Sequence, residues 1–318
     1  MSLVELKSSG WQLGVLPGTG GSIAYGRVLV DGQWLDLLRP TRPTVYGNPD
    51  MCASFPLVPW SNRLRDGVLT FRGRTWQLAH HAADGTAMHG ATLPYTWQVA
   101  DRGESHVELT IDTAGLTGVN FPWQFRSRIL YALDGDRLTV TTTVENTDTE
   151  PFPAGFGHHP YFERRLRPAV QHGTPAPDEA TTGSDALLEL PFDRGYALVD
   201  AMATGPAGDV PARADYRTPR PIGSAFVDDV LTGQRAGEPA ARITYPDHGV
   251  EVRLDMDPVY EHLVVYVPRH RAYFAVEPVT NTNGAFALHD AGVPGTGTFV
   301  LAPTESRTGT FTLTLSPR

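Results

Sequence analysis

Two histidines stand side by side in "GFGHHPYFERR", residues 155–165, followed by Pro160, Tyr161, Phe162 and an acid. A histidine pair can serve as metal ligands, supply a catalytic acid, or consist of two chance neighbours. Successive side chains on a strand point to opposite faces, so His158 and His159 are badly spaced to hold one metal together. The chain has neither an H-x-H nor an H-x-x-x-H element around them. The spacing therefore predicts no metal site. If one histidine works chemically, its neighbour faces elsewhere. Pro160 cannot donate to a ladder and should interrupt strand pairing here. The plain alternative is a loop with one packed and one solvent-facing histidine.

A second candidate is "YFAVEPVTNTNGAF", 273–286. In an extended run Tyr273, Ala275 and Glu277 share one face, and Phe274 and Val276 share the other. Pro278 suggests the strand's end. A carboxylate in so apolar a setting costs free energy unless it is paired or used. The alternative is an acid on an edge strand, facing water. In "PWSNRLRDGVLTFRGRTWQL", 59–78, Arg63 and Arg65 would share a face before an Arg-Asp-Gly turn. Arginine suits oxygen-rich ligands, although a surface pair with Asp66 would explain it as well. His89 precedes Gly90 in "GTAMHGATLPYTW", 85–97. Asp228 and Asp229 lie in "AFVDDVLTG", 225–233, where only one of them can face a site.

The elements that must position these residues read as strands. Period-2 alternation runs through 106–113, 137–146, 249–257, 262–268, 272–279 and 309–316. "DGDR", 134–137, reads as the turn of a hairpin spanning 125–146. No segment sustains a helical period, and only 194–204 suggests a turn of helix. The stretches 167–188 and 202–221 read as polar loops inside the same domain. With 32 glycines and 27 prolines spread along 318 residues, the chain reads as one large antiparallel β domain over 1–318, a sandwich or barrel.

Composition narrows the function classes. Formal net charge is -9 and no block of Lys/Arg occurs, so neither nucleic acid nor an anionic membrane is an expected partner. No run approaches a membrane span and no signal peptide is evident, so a cytoplasmic location is expected. The single cysteine, Cys52, rules out an internal disulfide and a cysteine-based zinc cluster.

The order of the motifs is more specific than any one of them. Asn62-Arg63, His89-Gly90, His159-Pro160-Tyr161-Phe162, an aspartate before a hydrophobic residue, and Glu277-Pro278 together resemble the aldose 1-epimerase (galactose mutarotase) family. The resemblance covers most of the chain and is strongest to the bacterial aldose 1-epimerase-like branch, with its Pro-x-x-Asn-Arg and Glu-Pro-x-Thr elements. It implies an all-β fold, a large antiparallel β-sandwich with a sugar lying across one concave sheet. It implies that His159 and Glu277 are catalytic, and that Arg63 after Asn62, His89 and Asp228 bind the sugar, with Asp229 the rival for the last role. Two departures touch sugar preference: Ala91 stands where the family often has a second glycine, and His158 where it often has Asn or Leu.

The implied reaction interconverts the α and β anomers of a free aldose, a hexose or a pentose. A base, Glu277, would take the C1 hydroxyl proton, and an acid, His159, would protonate the ring oxygen. Neither cofactor nor metal is required. Tyr161, Phe162 and Trp60 are candidates to pack against the sugar's apolar face. A hexose-phosphate mutarotase, with Arg65 and Arg74 near the phosphate, and a non-catalytic carbohydrate-binding or regulatory protein on the same fold are the alternatives. Either a monomer or a homodimer is compatible with the sequence.

Overall fold

The computed structural model describes residues 2–80, 82–169 and 183–317. Two large sheets dominate it. The first runs Val4–Lys7, Trp11–Leu16, Ser22–Val30, Gln33–Leu38, Tyr161–Pro168, Tyr273–Val279, His262–Val267, Val227–Gln234, Phe192–Gly195 in spatial order. The second begins with Gln98–Arg102, His106–Asp112 and the hairpin of Phe125–Asp134 with Arg137–Asn146. It continues through Ser306–Pro317, Val250–Met256 and Ala241–Tyr245 to two short strands. Ladders in both sheets are antiparallel among the described residues. The all-β sandwich expected from the alternation is the fold, and the 125–146 hairpin closes at Asp134↔Arg137.

The alternation explains the core. Phe162, Phe274, Val276, Leu263 and Val265 from the first sheet pack with Val107, Leu109, Ile129, Val140 and Leu313 from the second. Each of these side chains removes apolar surface from water at about 25 cal/mol per Å². On the other face of the first sheet a smaller cluster gathers Phe55, Leu57, Tyr161, Val230, Val264, Ala275 and Val279. Two apolar faces on one sheet mean that the second is also covered, and it is there that the candidate site forms.

Two local expectations are corrected. Residues 194–204 are not helical: Leu198–Val199 pairs with Met202–Ala203, and the two linking residues, Asp200 and Ala201, both have positive φ. That is the backbone of a tight hairpin turn. The helix lies instead at Ala285–Asp290, too short to print a 3.6-residue pattern. Pro278 does not end its strand, which continues to Val279. It falls between the ladder to Tyr161 and the ladder to Gly157, where a missing N–H is tolerated. Much of the 167–188 stretch lies outside the described residues, and its ends are taken up by strands Tyr161–Pro168 and Leu187–Glu189. The 202–221 stretch is mostly irregular, as expected, with short strands at Met202–Ala203 and Arg220–Pro221 and one short turn at Ala212–Ala214. No helix among the described residues is long and apolar enough to cross a membrane.

Candidate active site

Register builds the site. Tyr161 pairs with Ala275, Ala275 with Tyr266, and Tyr266 with Asp228, so these four form one row across the outer face. The next row runs Glu277, Val264, Val230. Directly paired residues share a face, so Asp228 and Glu277 look out of the same surface from two strands. The sheet places Glu277 between neighbours on both sides, not on an edge, and leaves it 2% exposed.

His159 joins them through a break in the sheet. Pairing with the Glu277 strand lapses between Gly157↔Val279 and Tyr161↔Ala275, while on the other side His159 N–H donates to the Phe55 carbonyl at 3.0 Å. Alternation after the inward-facing His158 turns the His159 ring to the outer face. There Nε2 lies 3.1 Å from Oε1 of Glu277, with His159 itself only 6% exposed. Aromatic rings hold it: Tyr161 at 4.4 Å and Phe55 at 4.8 Å between centroids, with His89 edge-on at 5.4 Å.

His158 faces the core. Its Nε2 bonds Thr142 Oγ1 at 2.9 Å between the rings of Tyr131 and Phe311. Burial drives its pKa down to about 3, so it is neutral. The aspartate pair splits in the same way. Asp229 turns inward and is clamped by Arg213, whose Nε and Nη2 donate at 2.7 Å each. Asp228 lines the outer cavity.

Arg63, Asn62 and His89 come from loops laid over the outer face. Asn62 and His89 both adopt positive φ, and the short pairing Arg63↔Met88 joins their segments. Gly90 has φ +81, and a Cβ there would sit 2.2 Å from the carbonyl oxygen of Val58. Only glycine fits that position, whereas Ala91 is accommodated, buried, with ordinary φ. Asn62 donates from Nδ2 to the Asn281 carbonyl at 2.6 Å, and Gly284 N–H donates to the Arg63 carbonyl at 2.8 Å. The Asn62-Arg63 segment is thereby locked to the chain that leaves the Glu277 strand. Arg63 pairs with Asp84 at 2.6 Å, not with Asp66.

Together these groups surround a cavity of about 310 Å³, within the range of small-ligand sites. All six sequence-predicted site residues line it: Asn62, Arg63, His89, His159, Asp228 and Glu277. Of the aromatic candidates only Tyr161 does; Trp60 and Phe162 are fully buried in the core between the sheets. The sequence reading missed Phe226, Tyr266 and Asn283 in the lining. Tyr266 stands two residues from Val264 in an alternating strand, and that period could have flagged it. Arg65 donates to the Val199 carbonyl and Arg74 pairs with Glu150, and neither lines the cavity. Among the described residues no group of three or more His, Cys, Asp or Glu is placed to hold a metal ion.

The electrostatics favour proton transfer. Burial, reinforced by the charge of Asp228 and opposed by Arg63, raises Glu277 well above the usual carboxylate range. Burial, reinforced by His89 and Arg39, holds His159 well below the usual imidazole range. A carboxylate of raised pKa is a stronger base, and an imidazolium of lowered pKa is a stronger acid. Their contact couples them, so protons are gained and lost by the pair. Asp228 is also raised, by burial first and against the pull of Arg63.

The sequence profile of the aldose 1-epimerase family matches residues 15–314. The chain belongs to the aldose 1-epimerase family. Its relatives include the uncharacterized protein YphB of Escherichia coli (strain K12), 26% identical over 297 residues, covering 90% of this chain and 91% of YphB. Among solved structures, a galactose mutarotase-like protein from Clostridium acetobutylicum superposes with a TM-score of 0.80 at 20% identity, over 99% of this chain and 95% of that one. Galactose 1-epimerase from Lactobacillus acidophilus NCFM gives 0.73 at 16% identity, over 100% and 95%. These likenesses place the sandwich among aldose 1-epimerase folds.

Proposed function

We propose that this member of the aldose 1-epimerase family is a mutarotase for a free, unphosphorylated aldose, hexose or pentose. The carrying observation is the buried His159–Glu277 contact at 3.1 Å in a cavity also lined by Asn62, Arg63, His89 and Asp228, groups suited to sugar hydroxyls. The two reacting oxygens of a cyclic aldose, the C1 hydroxyl and the ring oxygen, hang on one carbon. An acid and a base that serve them must be close neighbours.

The productive pair is Glu277 carboxylate with His159 imidazolium. Glu277 takes the C1 hydroxyl proton as the C1=O bond forms. The C1–ring oxygen bond breaks, and its electron pair takes the proton from His159 Nε2. The pair is now neutral carboxylic acid and neutral imidazole. After rotation about C1–C2, the freed hydroxyl adds to the other face of the aldehyde. His159 takes its proton back, and Glu277 returns one to the carbonyl oxygen. The pair holds one proton throughout, and opening converts two buried charges into two neutral groups, the direction that burial favours.

Asp228 and His89 would orient hydroxyls, with Arg63 supplying the donors not engaged by Asp84. Tyr161, Tyr266 and Phe226 would meet the apolar ring face; Phe226, 44% exposed, packs edge-on against Tyr266 at 6.1 Å. Two observations weigh against a phosphorylated sugar. Arg63 is the one arginine or lysine lining the cavity among the described residues, and it already carries an ion pair with Asp84, while the Asp228 carboxyl lies in the same lining. A purely binding role leaves the acid–base pair without a purpose. Polarimetry on freshly dissolved α-anomers of glucose, galactose, arabinose, xylose and glucose 6-phosphate tests the reading. Enzyme-dependent acceleration is expected for at least one free aldose. No acceleration above buffer for any of them would sink it.

A further inference from the structure

Asn283 follows the Glu277 strand by four residues and lines the same cavity. It is 4% exposed. Its Nδ2 donates to the Ala201 carbonyl at 2.5 Å. A carbonyl only accepts, so this bond fixes which way the amide is turned. Oδ1 is buried and has no hydrogen-bond partner among the described residues. An acceptor left in that condition carries a desolvation cost, which a hydroxyl donor in the cavity would relieve. The backbone on both sides is held: Gly284 N–H bonds the Arg63 carbonyl, and Asn281 Oδ1 accepts from Ser61 N–H.

We propose that Asn283 is a specificity-determining residue, its Oδ1 accepting a hydrogen bond from one ring hydroxyl of the aldose. The inference rests on the mutarotase reading for its substrate class. It adds a neutral amide acceptor to a site that also holds the carboxyl groups of Asp228 and Glu277. A neutral acceptor of fixed direction selects for the presence and configuration of a single hydroxyl. It also ties specificity to the Asp200–Ala201 hairpin, because Ala201 sets the amide's orientation.

The test is a deoxy scan. Binding by calorimetry and turnover by polarimetry are measured with glucose, galactose and their 2-, 3-, 4- and 6-deoxy analogues. Wild type should penalise the analogue lacking the hydroxyl that Oδ1 accepts by ~10-fold or more in Kd and KM. In Asn283→Ala that penalty should vanish, with penalties at other positions kept. In Asn283→Asp a carboxylate oxygen has no donor to give the Ala201 carbonyl, so the side chain loses its fixed direction and the penalty should weaken. Melting temperatures confirm that both variants are folded, and if Asn283→Ala is not, Asn283→Ser takes its place in the scan. A uniform rise in Kd for every sugar would mean that Asn283 only props the hairpin, and would overturn the proposal. So would deoxy penalties that are the same in wild type and in the alanine variant. Turnover with those unchanged penalties leaves the mutarotase reading standing and removes this one. Asn283-dependent discrimination in binding without any turnover does the reverse, and no sugar binding at all removes both.

Discussion

His158 and His159 differ by one peptide bond, yet they occupy opposite worlds. One faces the layer between the sheets, is neutral, and bonds a threonine. The other faces the outer cavity and touches a buried glutamate. Asp228 and Asp229 repeat the division one strand pair away, with Asp229 clamped by Arg213 inside and Asp228 in the cavity outside. Residue type does not set the role in either pair. The face does, because it decides whether the side chain meets fixed protein partners or the open space of a site.

The comparison can be broken by substitution. The largest effect belongs to the outer pair. Glu277→Gln and His159→Asn should each lower kcat by ~10²-fold or more, the scale for losing a general acid or base, with melting temperature little changed. His158→Asn should do the opposite. Loss of its bond to Thr142 and of its ring packing should cost about 1–3 kcal/mol in chemical denaturation, with turnover near wild type. A slower His158 variant than His159 variant in polarimetry would reverse the assignment.

The aspartates sharpen the same contrast at smaller size. Asp228→Ala should raise KM by roughly 10-fold through lost ground-state contacts. Asp229→Ala should leave KM alone and lower stability by about 1–2 kcal/mol, since half-exposed Arg213 can return to water.

The pH profile tests whether the outer pair acts as a unit. Taken singly, Glu277 would own the acidic limb of kcat/KM and His159 the basic limb. Coupling at 3.1 Å assigns both limbs to the pair. Only the one-proton state is productive. A second proton makes the pair cationic, and loss of the last makes it anionic. Burial opposes both changes, so the acidic limb moves down and the basic limb moves up. The expected profile is a plateau wider than the interval between an ordinary glutamate and an ordinary histidine. Asp228→Asn removes a charge that raises Glu277, so its basic limb should shift to lower pH; an unmoved limb would mean that His89 or another group titrates there. The smallest expected effect is that of exhaustive chelation, which should leave both activity and melting temperature unchanged.

What the sequence by itself determined is relative. Alternation put Glu277 opposite Val276, His159 opposite His158 and Asp228 opposite Asp229, because the side-chain period of a strand is local covalent geometry. Motif order brought the six candidate residues under one family resemblance, and the cavity contains all six. Which face is the outer one was not local. It depends on which strands pair and in what register, a choice made by contacts far apart in the chain, such as Glu277 with Val264 and Ala275 with Tyr161. The same limit hid Trp60 and Phe162 in the core while they read as candidate sugar contacts, and hid Phe226 and Asn283, which carry no motif. Only the folded chain could show that Asn283 lines the cavity, spends its donor on Ala201 and leaves its acceptor unpartnered among the described residues, because Asn283 and Ala201 lie 82 residues apart.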